Sequence, residues 1–175
     1  MTRHARFLSD LAENIERSDD TFIVHHKNDL SGVYPLWVAI EELTYGVLSM
    51  MYKNLLQEDR KEIADTYVGY SRRYVENWLQ CCSYCRNISA HGGRFYNRLL
   101  RSCPVRLSNK LSRRINNIRP FAFILAIYNL LPSQECKQNL INDLSSLFND
   151  HPFALLKHVG FPADWADLLK NQLRR

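Results

Sequence analysis

The stretch SRRYVENWLQCCSYCRNISAHGG, residues 71–93, decides the fold. Tyr74, Trp78, Leu79, Cys82, Cys85 and Ile88 recur at three- and four-residue spacing, which predicts one long amphipathic helix over Ser71 to His91. Gly92 and Gly93 close it, because glycine reaches the left-handed backbone conformation that ends helices without a Cβ penalty. Helical periodicity continues outward in both directions, and no stretch shows sustained period-two alternation between hairpin turns. The expected fold is an all-α helical bundle with additional short helices towards the C-terminus.

On the N-terminal side a shorter helix is expected near Glu58 to Tyr67, ahead of Gly69. Before it, Pro35 suits the first turn of a long helix carrying Trp37, Ile40, Leu43, Thr44, Val47, Leu48 and Met51 on a wide apolar stripe. Glu41 and Glu42 interrupt that stripe. A partly buried acid needs a cation or hydrogen-bond donors, which makes Glu41 a candidate partner behind the functional side chains, and a solvent-facing pair at the helix edge the alternative. A first helix covers Arg3 to Glu16 with Phe7, Leu8, Leu11 and Ile15 on one face, and Ser18 to Gly32 reads as irregular. Beyond the glycines, a helix resumes over Arg94 to Arg101, Pro104 breaks it, and a basic linker or short helix runs to Arg119. Pro120 opens an apolar helix to Leu131, Pro132 and Ser133 cap another to about Asn149, and a last short helix follows Gly160. A chain of 175 residues without internal repeats or low-complexity tracts is expected to form a single domain, 1–175.

Charge is distributed unevenly. Residues 1–76 hold nine basic and 13 acidic residues, residues 77–134 hold nine basic and no acidic ones, and the remainder holds five of each. An acid-free basic block of this length suits a polyanionic partner, unless acids from elsewhere in the chain oppose it in space. At its centre stand Arg86, Asn87 and His91, followed by Arg94, Asn97, Arg98 and Arg101. A guanidinium, a carboxamide and an imidazole within such a field suit a phosphodiester, and the first candidate partner is RNA. Arg86 would hold charge on the phosphorane oxygens, His91 would act as general acid or base near neutral pH, and Asn87 would orient the imidazole or a sugar hydroxyl. Arg94, Asn97, Arg98 and Arg101 would position the RNA. This chemistry proceeds from the ribose 2′-hydroxyl and requires neither metal nor cofactor, so DNA should not be cut.

One geometric problem arises at once. Five residues apart on an ideal helix, Arg86 and His91 diverge by roughly 140°. Either the helix unwinds at Ala90 and His91, or a two-fold homodimer brings a motif from each chain into one composite cleft. If helicity persists through the glycines, Asn87, His91, Arg94 and Arg98 share a single polar face.

Other patterns carry less. Cys81, Cys82 and Cys85 with His91 include zinc-ligand types, but a second knuckle is missing and small buried helix residues are the plainer reading. His25, His26 and His151 are read as loop residues. Five cysteines, an odd number, without a basic start and apolar signal core point to reduced thiols in the cytoplasm. The longest apolar run, Phe121 to Leu131, is far shorter than the roughly 18 residues of a membrane span.

Three ordered segments, RNISAHGGRFYNR at 86–98, PLWVAIEELTYG at 35–46 and GFPADW at 160–165, resemble the abortive-infection (Abi) family of the HEPN superfamily, AbiD/AbiF-like, over roughly residues 20–170. The resemblance implies a HEPN-like bundle and a metal-independent endoribonuclease in phage defence or a toxin-like response, with Arg-x4-His motifs meeting across a dimer. It implies functional roles for Arg86, Asn87 and His91. Family members carry a further N-terminal region with a Tyr-Tyr-Arg-Leu-type segment, and nothing before residue 35 resembles it, which suggests a short member or a fragment. No antitoxin or other regulatory partner is named by the residues. The alternative is a HEPN module that binds RNA or a protein partner without catalysis.

Overall fold

The computed structural model describes residues 3–172, and its secondary structure there is entirely helical. The chain divides into two compact units, Met1–Asn54 and Leu55–Arg175.

In the first unit α1 (Arg3–Arg17) follows the expected periodicity, with Phe7, Leu11 and Ile15 partly buried and Leu8 largely exposed. The segment read as irregular instead contains α2 (Thr21–Asp29). Asp20 explains it: in extended backbone, its carboxylate accepts the Phe22 N–H at 2.9 Å, and this N-cap outweighs the poor helix propensity of Thr21, Ile23 and Val24. The long helix expected from Pro35 to Met51 is broken into α3 (Leu36–Glu41) and α4 (Tyr45–Asn54). Thr44 restarts the chain, its hydroxyl accepting the Val47 N–H at 3.3 Å. Among the described residues Ile23, Val38 and Tyr52 form the buried apolar part of this unit, and the buried His26 has Nδ1 2.8 Å from the Val33 carbonyl.

In the second unit α5 (Gln57–Ile63) runs into a π-helical turn, Ala64–Val68, that ends at the left-handed Gly69. The central α6 (Arg72–Ala90) buries Val75, Trp78, Cys81 and Cys85. Its apolar stripe is rotated from the expected one, with Cys81 rather than Cys82 innermost, because Trp78 Nε1 donates to the Arg106 carbonyl at 3.0 Å and Asn77 donates to Pro104 at 3.1 Å. The helix expected over Arg94 to Arg101 does not form; turns occupy the segment, which then runs beside residues 117–118 through Leu100 N–H to Ile118 O at 2.7 Å and Val105 N–H to Asn117 O at 2.9 Å. A short α7 (Asn109–Ser112) precedes α8 (Pro120–Leu130), the most buried helix, which packs against α6 and against α11 (Trp165–Gln172). Between them lie α9 (Gln134–Asp150), capped by the Ser133 hydroxyl on the Cys136 N–H at 3.1 Å, and α10 (Leu156–Val159). Phe161 closes the end of this core, its ring centroid 4.6 Å from Phe121, 4.9 Å from Phe148 and 5.5 Å from Trp165. Among the described residues no helix is long and apolar enough to cross a membrane.

Candidate functional site

Arg86 and Asn87 lie exposed in the final turns of α6, and the guanidinium leans on its neighbour, Arg86 Nη1 to Asn87 Oδ1 at 3.4 Å. The helix stays regular to Ala90 and stops at His91, which leaves helical backbone (φ −95°, ψ 18°) while its N–H still reaches the Asn87 carbonyl at 3.1 Å. Gly92, at φ +65°, gives its N–H to Ser89 at 3.0 Å, and Gly93 gives its own to Ile88 at 2.7 Å. These two bonds are the Schellman pair that satisfies the last carbonyls of a helix. A Cβ at position 93 would sit 2.6 Å from Ile88 Cγ2 and 2.8 Å from Ile88 O, so only glycine fits there.

His91 is therefore fixed at the helix end. Its ring is exposed and has no hydrogen-bond partner among the described residues. Such a side chain is available for ligand chemistry.

The continuous polar face through Asn87, His91, Arg94 and Arg98 is not formed, because the backbone turns at Gly92 and Asn97. Asn97 adopts φ +54°, which asparagine tolerates better than most residues, and its Oδ1 accepts from Arg119 Nη1 at 3.1 Å. The same nitrogen donates to the His158 carbonyl at 2.9 Å. One residue earlier, the Tyr96 hydroxyl lies 2.8 Å from His158 Nδ1 and accepts the Leu155 N–H at 3.3 Å. Asn97 thus serves the loop's architecture. Arg94 and Arg101 are exposed, and the half-buried Arg98 donates to the Arg94 carbonyl at 3.5 Å.

Arg119, Tyr96 and His158 were not singled out from the sequence. Their contacts span 22, 39 and 62 positions, and only the neighbouring Gly160 hints at them. Gly160 sits at φ +79°, and a Cβ there would lie 2.5 Å from the Arg119 Cβ, so the glycine admits the arginine stem that holds the loop.

Within this unit the described residues give the nine cations of 77–134 one ion pair, Arg114 Nη2 with both Asp164 oxygens at 2.7 and 2.8 Å. The hydrogen bond from Arg114 holds the Asp164 carboxyl below the usual range. Glu41 is exposed at the last residue of α3, in the first unit. Burial pushes the Cys85 thiol up to about 12, which keeps it protonated and unsuited to metal or nucleophilic duty. Among the described residues no group of three or more His, Cys, Asp or Glu side chains is placed to hold a metal ion.

Next to the motif an apolar cavity of about 430 Å³ opens between Cys85 and Ser89 of α6, Phe95 and Tyr96 of the loop, and Ile124 and Leu147 of the helices opposite. His151 and Ala154 also line it, and between them in sequence Phe153 is 93% exposed. An aromatic side chain so fully presented to water is unusual beside an apolar hollow.

The family model described as Abi-like protein matches residues 1–97. That span takes in Arg86, Asn87, His91, Arg94 and Asn97 and all of the first unit; it reaches further towards the N-terminus than the resemblance read from the three segments and leaves out the one at 160–165. No curated protein and no solved structure matches the chain. With more than half its length matched, including the exposed Arg-Asn-His helix end, the chain belongs to the Abi-like protein family.

Proposed function

We propose that this chain is a cytoplasmic, metal-independent endoribonuclease of the HEPN type, acting in bacterial abortive infection or a related toxin-like response. The observation that carries the reading is the exposed set Arg86, Asn87 and His91 at a helix end, within the 77–134 block whose cations, among the described residues, have one acidic partner between them, Asp164 on Arg114. In this reading the His91 imidazole takes the proton of a ribose 2′-hydroxyl as general base or returns one to the leaving 5′-oxygen as general acid. Arg86 meets the charge that builds on the phosphorane oxygens. Its contact with Asn87 keeps the guanidinium over the motif. Arg94, Arg98 and Arg101 hold the flanking phosphates, and affinity falls as salt rises.

A second copy of the chain completes the cleft. Five residues apart at ideal helical pitch, Arg86 and His91 would diverge by roughly 140°, and the cavity bordering the motif offers an apolar seat for the exposed Phe153 of a two-fold mate. Phe153→Asp is expected to lower self-association at least tenfold by sedimentation, with an unchanged melting curve. An unchanged association would remove the cavity from the interface.

The test of activity is product chemistry. The purified chain is incubated with single-stranded RNA and with DNA of matched sequence. A 2′,3′-cyclic phosphate end on RNA alone, reduced about 100-fold or more by Arg86→Ala, is the expected result. RNA retained without cleavage would instead establish the non-catalytic binding module, which the solvent-exposed basic loop also favours.

A further inference from the structure

We infer that Cys81 and Cys103 form a redox modification site, in which a hydroperoxide converts the two thiols into a disulfide that staples α6 to the basic loop following it. The two sulfurs lie 3.2 Å apart, and both cysteines are free and buried. A disulfide needs about 2.05 Å, so closure requires an approach of little more than about 1 Å. The residues belong to segments 22 positions apart, and Cys81 is pinned in place by Trp78 and Asn77 one turn earlier. Its thiol also points at the Cys103 and Pro104 carbonyls, 3.6 and 4.0 Å away.

The remaining thiols are less suited. Cys85 faces the apolar cavity, and burial keeps its proton on. Cys82 is only half buried and projects from α6 about 100° away from Cys81.

Within the pair the two sulfurs differ. The hydrogen bond from Cys81 lowers the Cys103 pKa, while the same contact and burial raise that of Cys81. Cys103 is also the less buried, at 6% against 0%. It is therefore the first to react. Its sulfur attacks one peroxide oxygen, the O–O bond breaks, and the leaving oxygen departs as water, or as an alcohol from an organic hydroperoxide, carrying a proton. Cys103 is left as a sulfenic acid. The Cys81 sulfur then attacks the Cys103 sulfur, the S–O bond breaks, and the sulfenic oxygen leaves as water with the Cys81 proton. The two thiols lose two electrons, and the peroxide gains them.

Arg94, Arg98 and Arg101 lie between the two tethers, the tight Gly93 turn at one end and Cys103 at the other. Oxidation thus fixes the whole cationic loop to the motif helix. This holds whether or not the chain cuts RNA.

The full-length protein, folded and reduced, is exposed to hydrogen peroxide, and thiols are titrated under denaturing conditions. The expected result is a loss of two from the five free thiols, reversed by dithiothreitol, with peptide mapping joining Cys81 to Cys103. In Cys81→Ser the Cys103 sulfenic acid should persist and take a dimedone label. All five thiols surviving, sulfinic or sulfonic acid without a disulfide, or a bridge mapped to Cys82, Cys85, Cys136 or a second chain would each overturn the inference. Mapping of the unmutated protein decides the matter if a serine variant fails to fold.

Discussion

His91→Ala should lower RNA cleavage by at least about 100-fold while leaving the thermal unfolding curve in place, since a positioned general acid or base contributes on that scale. The separation of the two readouts follows from where the ring sits. His91 contributes to the fold through its backbone, which closes α6 with φ −95° and an N–H bond to Asn87, and alanine adopts that backbone without strain. Among the described residues the exposed imidazole has no hydrogen-bond partner whose loss would cost stability. Its attraction to the helix C-terminus is worth no more than about 1 kcal/mol at an exposed site. Initial rates on a labelled single-stranded RNA, measured beside a circular dichroism melt, test both halves. Equal rates for the two proteins would remove His91 from the chemistry, and a collapsed melt would show that the ring is structural.

Phe161→Ala is expected to cost about 3–5 kcal/mol, the range for truncating a large buried aromatic residue. Phe161 is 7% exposed and touches one ring from each of three helices, Phe121 of α8, Phe148 of α9 and Trp165 of α11. No single neighbour can move in to refill the space, because each is anchored on a different helix. The melting midpoint should fall by roughly 6–20 °C for a chain of this size. A shift below about 2 °C would mean that the cavity collapses.

The elements most legible in the sequence are those set by local chemistry. Pro120 opens α8, Ser133 caps α9 and Gly92 with Gly93 ends α6, each where a side chain or a missing Cβ dictates the backbone within a few residues. The misreadings have equally local causes. Asp20 caps a helix in a segment whose composition reads as loop, and Thr44 breaks a stripe whose periodicity alone reads as continuous. In the site, Arg86, Asn87 and His91 stand out as polar residues on an apolar-striped helix, and all three are exposed. What periodicity cannot convey is where a backbone turns. Extending the helix through Arg94 to Arg101 places four polar groups on one face, whereas the chain reverses at Gly92 and Asn97 and redirects them. Asn97 looks like one more RNA contact in the sequence, and its partner Arg119 becomes visible only once residues 22 positions apart are neighbours.

The Arg119 clamp has a consequence for how such a site can change over evolutionary time. The groups that would meet a phosphate are encoded between positions 86 and 101, but the stance of the loop that carries half of them is set by a side chain at 119, a carbonyl at 158 and the missing Cβ of 160. Selection can therefore tilt or shift the cationic loop through positions 119, 158 and 160, without altering a single residue between 86 and 101.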